Sequence, residues 1–313
     1  MNILITGAAG FLGHKLATTL LKSDLAIDRL TLVDITEPNI SHDKVVSFVS
    51  DLSDQALIHQ MINAETDIVY HLAAIVSGHA EKDFDLGWKV NLDLTRNLLE
   101  RCKAVNPKIK FVFTSSCAVY GGDLPPVIDD LTILTPQSSY GTQKAMCEML
   151  INDYTRKGYI DGRSLRLPTI CVRPGKANQA ASSFVSGIIR EPINEQEAIC
   201  PVDINTDVWI SRPDTVVDNI LNAAFIEGRA FGKTRAVALP GITVSVKDMI
   251  ASLRKICGDQ IADRIVFKYD EFINSLVSTW PTRIDNAHAL QLGFKVDGSF
   301  DGFIRQYIDQ YKS

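Results

Sequence analysis

Thr6-Gly7-Ala8-Ala9-Gly10-Phe11-Leu12-Gly13, near the start of the chain, is a glycine-rich motif that predicts the type of fold. It completes the short apolar run 2–6, whose β-branched residues predict a buried strand. Gly7 then allows a tight turn, Gly10 lets backbone N–H groups approach a phosphate, and Gly13 lets the next helix pack closely on the strand. That helix begins near Phe11 and aims its free N–H groups and the positive end of its dipole at the turn. The stretch therefore predicts a pyrophosphate-binding turn.

An acidic residue ends the second predicted strand, Leu30-Thr31-Leu32-Val33-Asp34, 21 residues after Gly13. A carboxylate at this point can accept hydrogen bonds from the ribose hydroxyls of an adenosine and would repel a 2′-phosphate. No Arg or Lys follows within 35–37. The GxxGxxG spacing alone is weak, because an ordinary glycine-rich turn also matches it. Together with Asp34 it predicts a nicotinamide dinucleotide, NAD rather than NADP.

Strand and helix patterns alternate along the first half of the chain. Strands are predicted over 2–6, 30–34, 45–49, 67–71, 109–114 and 164–167, and helices from 11 onward and over 56–62, 88–105 and 138–154. A helix over 216–225 and a strand over 236–239 follow later. Such alternation predicts an α/β fold of the Rossmann type, a doubly wound parallel sheet covered by helices on both faces.

The alternation breaks after Pro168, because residues 168–208 are rich in Pro, Gly, Asn and Ser. We expect residues 1–167 to form an NAD-binding domain, to which 209–239 returns. Residues 168–208 and 240–313 are expected to form a smaller substrate-binding lobe. This lobe is interleaved with the main domain rather than joined to it by a linker.

Composition excludes several classes of protein. A hydrophobic content of 46%, a charged content of 22% and a net charge of −5 without a basic run indicate a globular protein that does not bind nucleic acid. No apolar stretch is long enough to span a membrane, and the chain enters a strand at once without a signal peptide pattern. The six cysteines form no CxxC pair, which favours free thiols and a cytoplasmic location. The six histidines lack metal-ligand spacing, so no metal site is expected.

A second motif, Tyr140-Gly141-Thr142-Gln143-Lys144, places a tyrosine and a lysine on one face of a predicted helix. A free tyrosine has a pKa near ~10, but a nearby ammonium and an oxidised nicotinamide stabilise its phenolate. Tyr140 can then take the proton of a substrate hydroxyl, and Lys144 can also bind the nicotinamide ribose. YxxxK is common by chance, so on its own it does not indicate a catalytic site. The catalytic interpretation is supported by 113–121, a predicted buried strand that ends in hydroxyl-bearing residues. There Ser116 can orient the substrate oxygen, whereas Ser115 can equally form the turn at the strand end.

These motifs resemble those of the extended short-chain dehydrogenase/reductase superfamily over nearly the whole chain. The matching segments are 6–13, 51–52, 71–74, 90–91, 115–121, 166–168 and 285–294, with Asp34, Tyr140 and Lys144. The resemblance implies an NAD(P) cofactor and a catalytic triad of Ser116, Tyr140 and Lys144. It also implies cofactor contacts by Gly7, Gly10, Phe11, Leu12, Gly13, Asp34, Asp51, Leu52, Leu72, Ala73, Ala74, Asn91, Tyr140, Lys144 and Pro168. In this set Asp51 and Leu52 flank the adenine, and Asn91 supports the site from the long helix.

Several functions within this superfamily remain open. Its dehydratases carry Asp-Glu after the catalytic hydroxyl residue, and Cys117-Ala118 at those positions disfavours dehydration. A sugar-nucleotide epimerase and a uronate dehydrogenase remain alternatives. The block 166–192 resembles that of D-erythronate dehydrogenases, which use NAD to oxidise the C2 hydroxyl of a four-carbon sugar acid to a 2-oxo acid. A dinucleotide-sensing module without catalysis is disfavoured, because Tyr140 and Lys144 are both present.

A small sugar acid as substrate requires a guanidinium or amide group for its carboxylate. The candidates are Arg173, Lys176, Asn178 and Arg212, and Ser77 and Ser182 can meet its hydroxyls. Of these we expect Ser77, Arg173, Asn178 and Ser182 to bind substrate, together with Ser116 and Tyr140. The alternative is that Arg173 and Arg212 are structural ion-pair partners and Lys176 a solvated loop residue. The resemblance further implies a homodimer through the helices 88–105 and 138–154.

Overall fold

The computed structural model describes residues 1–51, 54–176 and 180–312. The strands in these ranges are β1 (Asn2–Thr6), β2 (Arg29–Asp34), β3 (Val45–Val49), β4 (Thr66–His71), β5 (Lys110–Ser116), β6 (Asp161–Leu167), β7 (Thr169–Ile170), β8 (Ala198–Cys200), β9 (Asp207–Ser211), β10 (Ala236–Ala238), β11 (Ile242–Ser245) and β12 (Ile265–Phe267). The α-helices in the same ranges are α1 (Phe11–Lys22), α2 (Gln55–Met61), α3 (Ser77–Lys82), α4 (Phe84–Gly87), α5 (Leu94–Val105), α6 (Ser139–Arg156), α7 (Ser183–Ile193), α8 (Pro213–Ala223), α9 (Val246–Cys257), α10 (Asp259–Ala262), α11 (Glu271–Val277), α12 (Ala287–Gln291) and α13 (Asp301–Tyr311).

The main sheet has the predicted Rossmann-type architecture. In the described part of the chain it contains seven strands in the order β10-β6-β5-β4-β1-β2-β3. β1 pairs in parallel with both β2 and β4, and the pairs β2–β3 and β4–β5 are parallel as well. The α/β fold class predicted from the alternating patterns is therefore confirmed. The sixth strand begins at Asp161 rather than at residue 164, and the backbone N–H of Asp161 already donates to the Ile109 carbonyl at 2.9 Å.

The chain divides into two compact units. The first contains Met1–Ser116, Ser139–Arg166 and Val217–Val237, and the second contains Cys117–Ser138, Leu167–Val216 and Ala238–Ser313. Each unit has a hydrophobic core of its own. Both units are therefore built from segments that are not contiguous in sequence.

The core of the first unit explains where its motifs meet. Leu4, Val69 and Phe111, from three neighbouring strands, pack with Leu98 of α5 and Ile151 of α6 in one buried cluster. The parallel strands β1, β4 and β5 end at the same edge of the sheet. Because chain order reverses on the two sides of β1, this edge is the topological switch point where ligands bind in such folds.

The helix predicted over 88–105 is not a single regular helix. α4 continues into a π-helical segment, Trp88–Asp93, and only then into α5. The wider π turn changes the direction in which side chains leave this segment, and π turns are frequent at functional sites. Asn91, one of the predicted site residues, lies within it and is buried.

The second unit contains two small sheets. In the three-stranded sheet β9 lies between β11, which is antiparallel to it, and β7, which is parallel. The other sheet pairs β8 with β12 in parallel. The core of the second unit contains apolar residues of α7, α9 and α13 that pack against these strands, for example Ile188, Met249 and Phe303.

The described residues also bear on membranes and metals. No helix in the described ranges has the length and apolar character needed to cross a bilayer. The same part of the chain contains no group of three or more His, Cys, Asp or Glu side chains arranged to hold a metal ion.

Candidate active site

The turn between β1 and α1 requires glycine at two positions. Gly7 has a φ of +72°, and a Cβ there would lie 2.6 Å from the backbone nitrogen of Ala73. A Cβ on Gly13 would lie 2.1 Å from the carbonyl oxygen of Gly7. Gly10 stands at the N-cap of α1 without a side-chain cap, and the first turn of α1 carries no acidic residue. The turn thus presents backbone and a helix N-terminus to its surroundings, as pyrophosphate binding requires.

Asp34 ties the end of β2 to this turn. Its carboxylate accepts one hydrogen bond from the backbone N–H of Ala9 at 3.0 Å and another from that of Thr36 at 3.3 Å. An ionised carboxylate can accept about four hydrogen bonds, so capacity remains for ribose hydroxyls. The placement fits the predicted adenosine contact. The preference for NAD over NADP that Asp34 implies stays a prediction.

The other predicted cofactor residues of the first unit fall into two groups. Leu72 donates its backbone N–H to the Thr6 carbonyl at 3.1 Å, and Ala73 donates to the Thr6 hydroxyl at 3.3 Å, so 72–74 packs beside the glycine turn. Asp51 is exposed and forms an ion pair with Lys89 at 3.4 Å. Leu52 lies outside the described residues.

Tyr140 and Lys144 lie near the start of α6, with Ser116 at the end of β5. The backbone N–H of Ser139 donates to the Glu81 carboxylate at 2.9 Å, which holds the beginning of this helix. Lys144 is buried, and its Nζ donates to the carbonyl oxygen of Thr114 at 2.8 Å. Its ammonium also lies 5.7 Å from the centre of the Tyr140 ring. The side chains of Ser116 and Tyr140 are hydrogen-bonded, so the three predicted catalytic residues are brought together.

Burial shifts the pKa of both catalytic groups. It raises the pKa of Tyr140 to about 12, although the hydrogen bond with Ser116 acts in the opposite direction. It lowers the pKa of Lys144 to about 8, although the nearby Cys147 and Glu148 favour the ammonium. In the protein chain alone the pKa of Tyr140 is therefore raised by burial, and not lowered as the sequence predicts. The positive charge of an oxidised nicotinamide acts in the direction that favours the phenolate.

A buried ion pair lies one helical turn beyond Lys144, and sequence reasoning missed it. Glu148 accepts two-pronged hydrogen bonds from Arg166 of β6, the shortest at 2.8 Å, and one from the hydroxyl of Ser115 at 2.5 Å. Ser115 is therefore part of a buried network and does not simply form a turn. The signals available in the sequence were the four-residue spacing from Lys144 to Glu148 and an arginine inside an otherwise apolar strand.

A second buried network, also missed, links the glycine turn to the long helices. His71, at the end of β4, is hydrogen-bonded through Nδ1 to the Thr6 hydroxyl at 2.7 Å and through Nε2 to the Thr95 hydroxyl at 2.9 Å. The Thr95 hydroxyl donates to the carbonyl of Asn91 at 2.7 Å, so it accepts from Nε2 and leaves Nδ1 to accept from Thr6. Burial lowers the pKa of His71 to about 3, which keeps the imidazole neutral.

The predicted substrate residues have different surroundings. Arg212 donates to the buried Asp297 at 2.6 Å and so acts as a structural ion-pair partner. The side chain of Arg173 has no such acidic partner within the described ranges, and its backbone is held by Ser186 and Arg190. Lys176 is exposed, and Asn178 lies outside the described residues.

The other three predicted site residues lie at or next to the ends of helices and strands. Ser77 begins α3 and is half-buried. Ser182 occupies the N-cap position of α7 without capping it through its side chain. Pro168 is buried between β6 and β7.

The model of the NAD-dependent epimerase/dehydratase family matches residues 3–213. The chain belongs to this family. It is 49% identical over 312 residues to the D-erythronate dehydrogenase of Haemophilus influenzae, with 99% of each chain covered. It is also 49% identical over 318 residues to the D-erythronate dehydrogenase of Cupriavidus necator, covering 99% of this chain and 98% of the other. The resemblance seen in the sequence is therefore confirmed.

A solved structure extends the similarity to the whole fold. The crystal structure described as the nucleoside-diphosphate-sugar epimerase from Agrobacterium tumefaciens is 39% identical in sequence and superimposes with a TM-score of 0.93. The match covers 100% of this chain and 94% of that one. The fold of this family member is thus shared from end to end.

Membership in this family makes NAD the cofactor, as predicted. The residues present fit it. Gly7 and Gly13 let the turn and α1 pack closely on neighbouring backbone, α1 has an N-terminus without a side-chain cap, and Asp34 stands beside the turn. These features match a pyrophosphate and an adenosine ribose respectively.

Proposed function

We propose that this protein oxidises the C2 hydroxyl of D-erythronate to 2-oxo-tetronate with NAD. Its class, an NAD-dependent dehydrogenase acting on a CH–OH group, is that of the two relatives at 49% identity. The observation that carries the proposal is the hydrogen-bonded Ser116–Tyr140 pair with the buried Lys144 ammonium beside it. This arrangement supplies a general base for an alcohol.

The roles of the three residues follow from their contacts. NAD, when bound, supplies the acceptor for the hydride that leaves the C2 carbon. Tyr140 takes the hydroxyl proton on its phenolic oxygen, and Ser116 holds the substrate oxygen close to it. Lys144 is anchored by the Thr114 carbonyl, so its charge is fixed near the Tyr140 ring and stabilises the phenolate during the transfer.

Arg173 is the residue proposed to bind the substrate carboxylate. Burial, together with the nearby charge of Arg190, lowers the pKa of its guanidinium. Its backbone is fixed on both sides, since its N–H donates to the Ser186 hydroxyl at 3.0 Å and its carbonyl accepts from Arg190 at 2.9 Å. A guanidinium in this setting, without an acidic partner in the described ranges, favours an anionic ligand.

The proposal is tested by turnover on a substrate panel. Purified protein is mixed with NAD⁺ and a series of aldonates and uronates, and NADH formation is followed by absorbance. We expect turnover on D-erythronate with little on longer acids. Turnover only on a uronate would show that the substrate is not D-erythronate, while the protein would still be an NAD-dependent dehydrogenase. No NADH from any acid would contradict the dehydrogenase assignment.

A sugar-nucleotide epimerase is the second candidate, because the solved structure at 39% identity is described as a nucleoside-diphosphate-sugar epimerase. An epimerase returns its hydride to the substrate, so NAD stays bound through the cycle. NAD that copurifies with the protein, combined with interconversion of two sugar nucleotides and no net NADH, would favour this candidate.

A further inference from the structure

A fully buried amide, Gln143, lies on α6 directly before Lys144. Its Oε1 accepts a hydrogen bond from Nδ2 of Asn91 at 2.7 Å. A Cβ added to Gly87 would lie 2.8 Å from Gln143 Nε2, so glycine at that position leaves the space the amide occupies. The packing around Gln143 is therefore specific to its shape.

The backbone of Ile75 determines how both amides are oriented. The N–H of Ile75 donates to Asn91 Oδ1 at 2.8 Å, and Asn91 Nδ2 donates to the carbonyl of Ile75 at 3.1 Å. A backbone N–H can only donate, so Oδ1 must face it and Nδ2 must face Gln143. Gln143 must then present Oε1. Its Nε2 is left without an acceptor among the described residues.

An unsatisfied buried donor is unfavourable, and an apolar side chain of similar shape would avoid it. The amide of Gln143 is therefore better explained by the bond that its oxygen makes than by packing. That bond joins the helix of Tyr140 and Lys144 to the segment 72–76 through Asn91. Asn91 is tied to α6 a second time, since its carbonyl accepts from the Cys147 thiol at 3.1 Å.

We propose that Gln143 is a positioning residue that holds the segment 72–76 in register with the catalytic helix. Through Asn91 it fixes Ile75, and with it Leu72–Ala74 beside the glycine turn. NAD binding and the placement of Tyr140 and Lys144 are thereby set together. The proposal rests on the proposed cofactor contacts of 72–74 and on the dehydrogenase chemistry described above.

The first experiment measures NAD⁺ affinity by calorimetry in Gln143→Met, which preserves length and removes the acceptor. We expect the Kd for NAD⁺ to rise by about tenfold, the loss corresponding to one buried hydrogen bond. The KM for NAD⁺ should rise in parallel, and kcat should fall at saturating cofactor. Asp153→Asn, at an exposed position of the same helix, is the control and should leave all three values unchanged.

Two further variants separate positioning from packing. Gln143→Glu keeps an acceptor facing Asn91 and should bind NAD⁺ within about twofold of the parent. In an Asn91→Ala background, Gln143→Met should have little further effect on the Kd, because contacting residues couple non-additively. If Gln143→Met does not fold, Asn91→Ala alone decides, because it breaks the same link and should raise the Kd for NAD⁺, and an unchanged Kd would overturn the proposal.

The proposal is overturned if folded Gln143→Met has an unchanged Kd for NAD⁺. It is also overturned if Gln143→Glu loses as much affinity as Gln143→Met. Fully additive effects of Asn91→Ala and Gln143→Met on the Kd would overturn it as well. NAD⁺ affinity is measured without any sugar acid. A protein that binds NAD⁺ as expected but does not oxidise D-erythronate would therefore contradict the proposed substrate and leave this inference standing.

Discussion

At the scale of single residues, Tyr140 is the group whose chemistry can be isolated most cleanly. Tyr140→Phe removes the phenolic oxygen and keeps the ring beside Lys144. We expect kcat to fall by ~10²–10⁴-fold, because general base catalysis is lost. The Kd for NAD⁺ should change little, which calorimetry checks. Turnover close to that of the parent would exclude Tyr140 as the base.

The guanidinium of Arg173 is expected to act on binding rather than on chemistry. Arg173→Met should raise the KM for D-erythronate by about 10–100-fold, the usual range for a charge-assisted hydrogen bond. The kcat at saturating substrate should change much less. Lys176→Met removes an exposed cation from the same segment and is the matched control. An equal effect of both variants on KM would point to general charge attraction and against a specific contact.

His71 is expected to make the folded state sensitive to acid. Its pKa is about 3 in the folded protein and near ~6.5 when unfolded, so the unfolded chain binds a proton that the folded chain does not. The free energy of unfolding should therefore fall as the pH drops from about 6.5 toward 3, by roughly 3–5 kcal/mol in total.

Urea unfolding at several pH values measures this loss. His71→Asn should flatten the dependence of the free energy of unfolding on pH between pH 6.5 and 4, even if the variant is less stable overall. His14→Gln, at an exposed position of α1, is the control and should keep the slope of the parent. The idea fails if the slope of His71→Asn equals that of the parent.

At the scale of elements, the turn between β1 and α1 depends on backbone contact. Gly13→Ala places a Cβ 2.1 Å from the Gly7 carbonyl, so α1 must move away from the turn. We expect NAD⁺ affinity to fall by more than tenfold and the melting temperature to decrease. Gly298→Ala meets nothing within 4 Å and should be tolerated. Calorimetry and thermal unfolding of the two variants test this, and unchanged NAD⁺ affinity in Gly13→Ala would contradict it.

Elements also show what the sequence could and could not predict. The parallel sheet was predictable because buried strands such as 2–6 are continuous apolar runs bounded by turn residues. The π turn at Trp88–Asp93 was not, because its apolar spacing also fits a regular helix. The same limit applies to Glu148 and Gln143, whose partners Arg166 and Asn91 are distant in sequence and meet only in the folded unit.

At the scale of the whole molecule, the homodimer implied by the resemblance stays a prediction with a direct test. The resemblance implies that α5 and α6 form the interface. On α6, Met149 is 63% exposed and Met146 is 37% exposed, and Phe84 on the nearby α4 is 55% exposed. Apolar side chains of this kind form the centre of stable interfaces. Light scattering should therefore give about twice the 34.5 kDa mass of one chain.

Met149→Arg places a charge in the expected interface and should shift the mass to that of a single chain, since an unpaired buried charge is strongly unfavourable. Phe225→Arg, at another exposed apolar position outside α5 and α6, should leave the mass unchanged. Because α6 also carries Tyr140 and Lys144, dissociation is expected to loosen this helix and lower kcat together with the melting temperature. A parent protein with the mass of one chain would show instead that the intramolecular contacts of α6, such as those of Lys144 with Thr114 and of Gln143 with Asn91, hold the catalytic residues without a partner subunit.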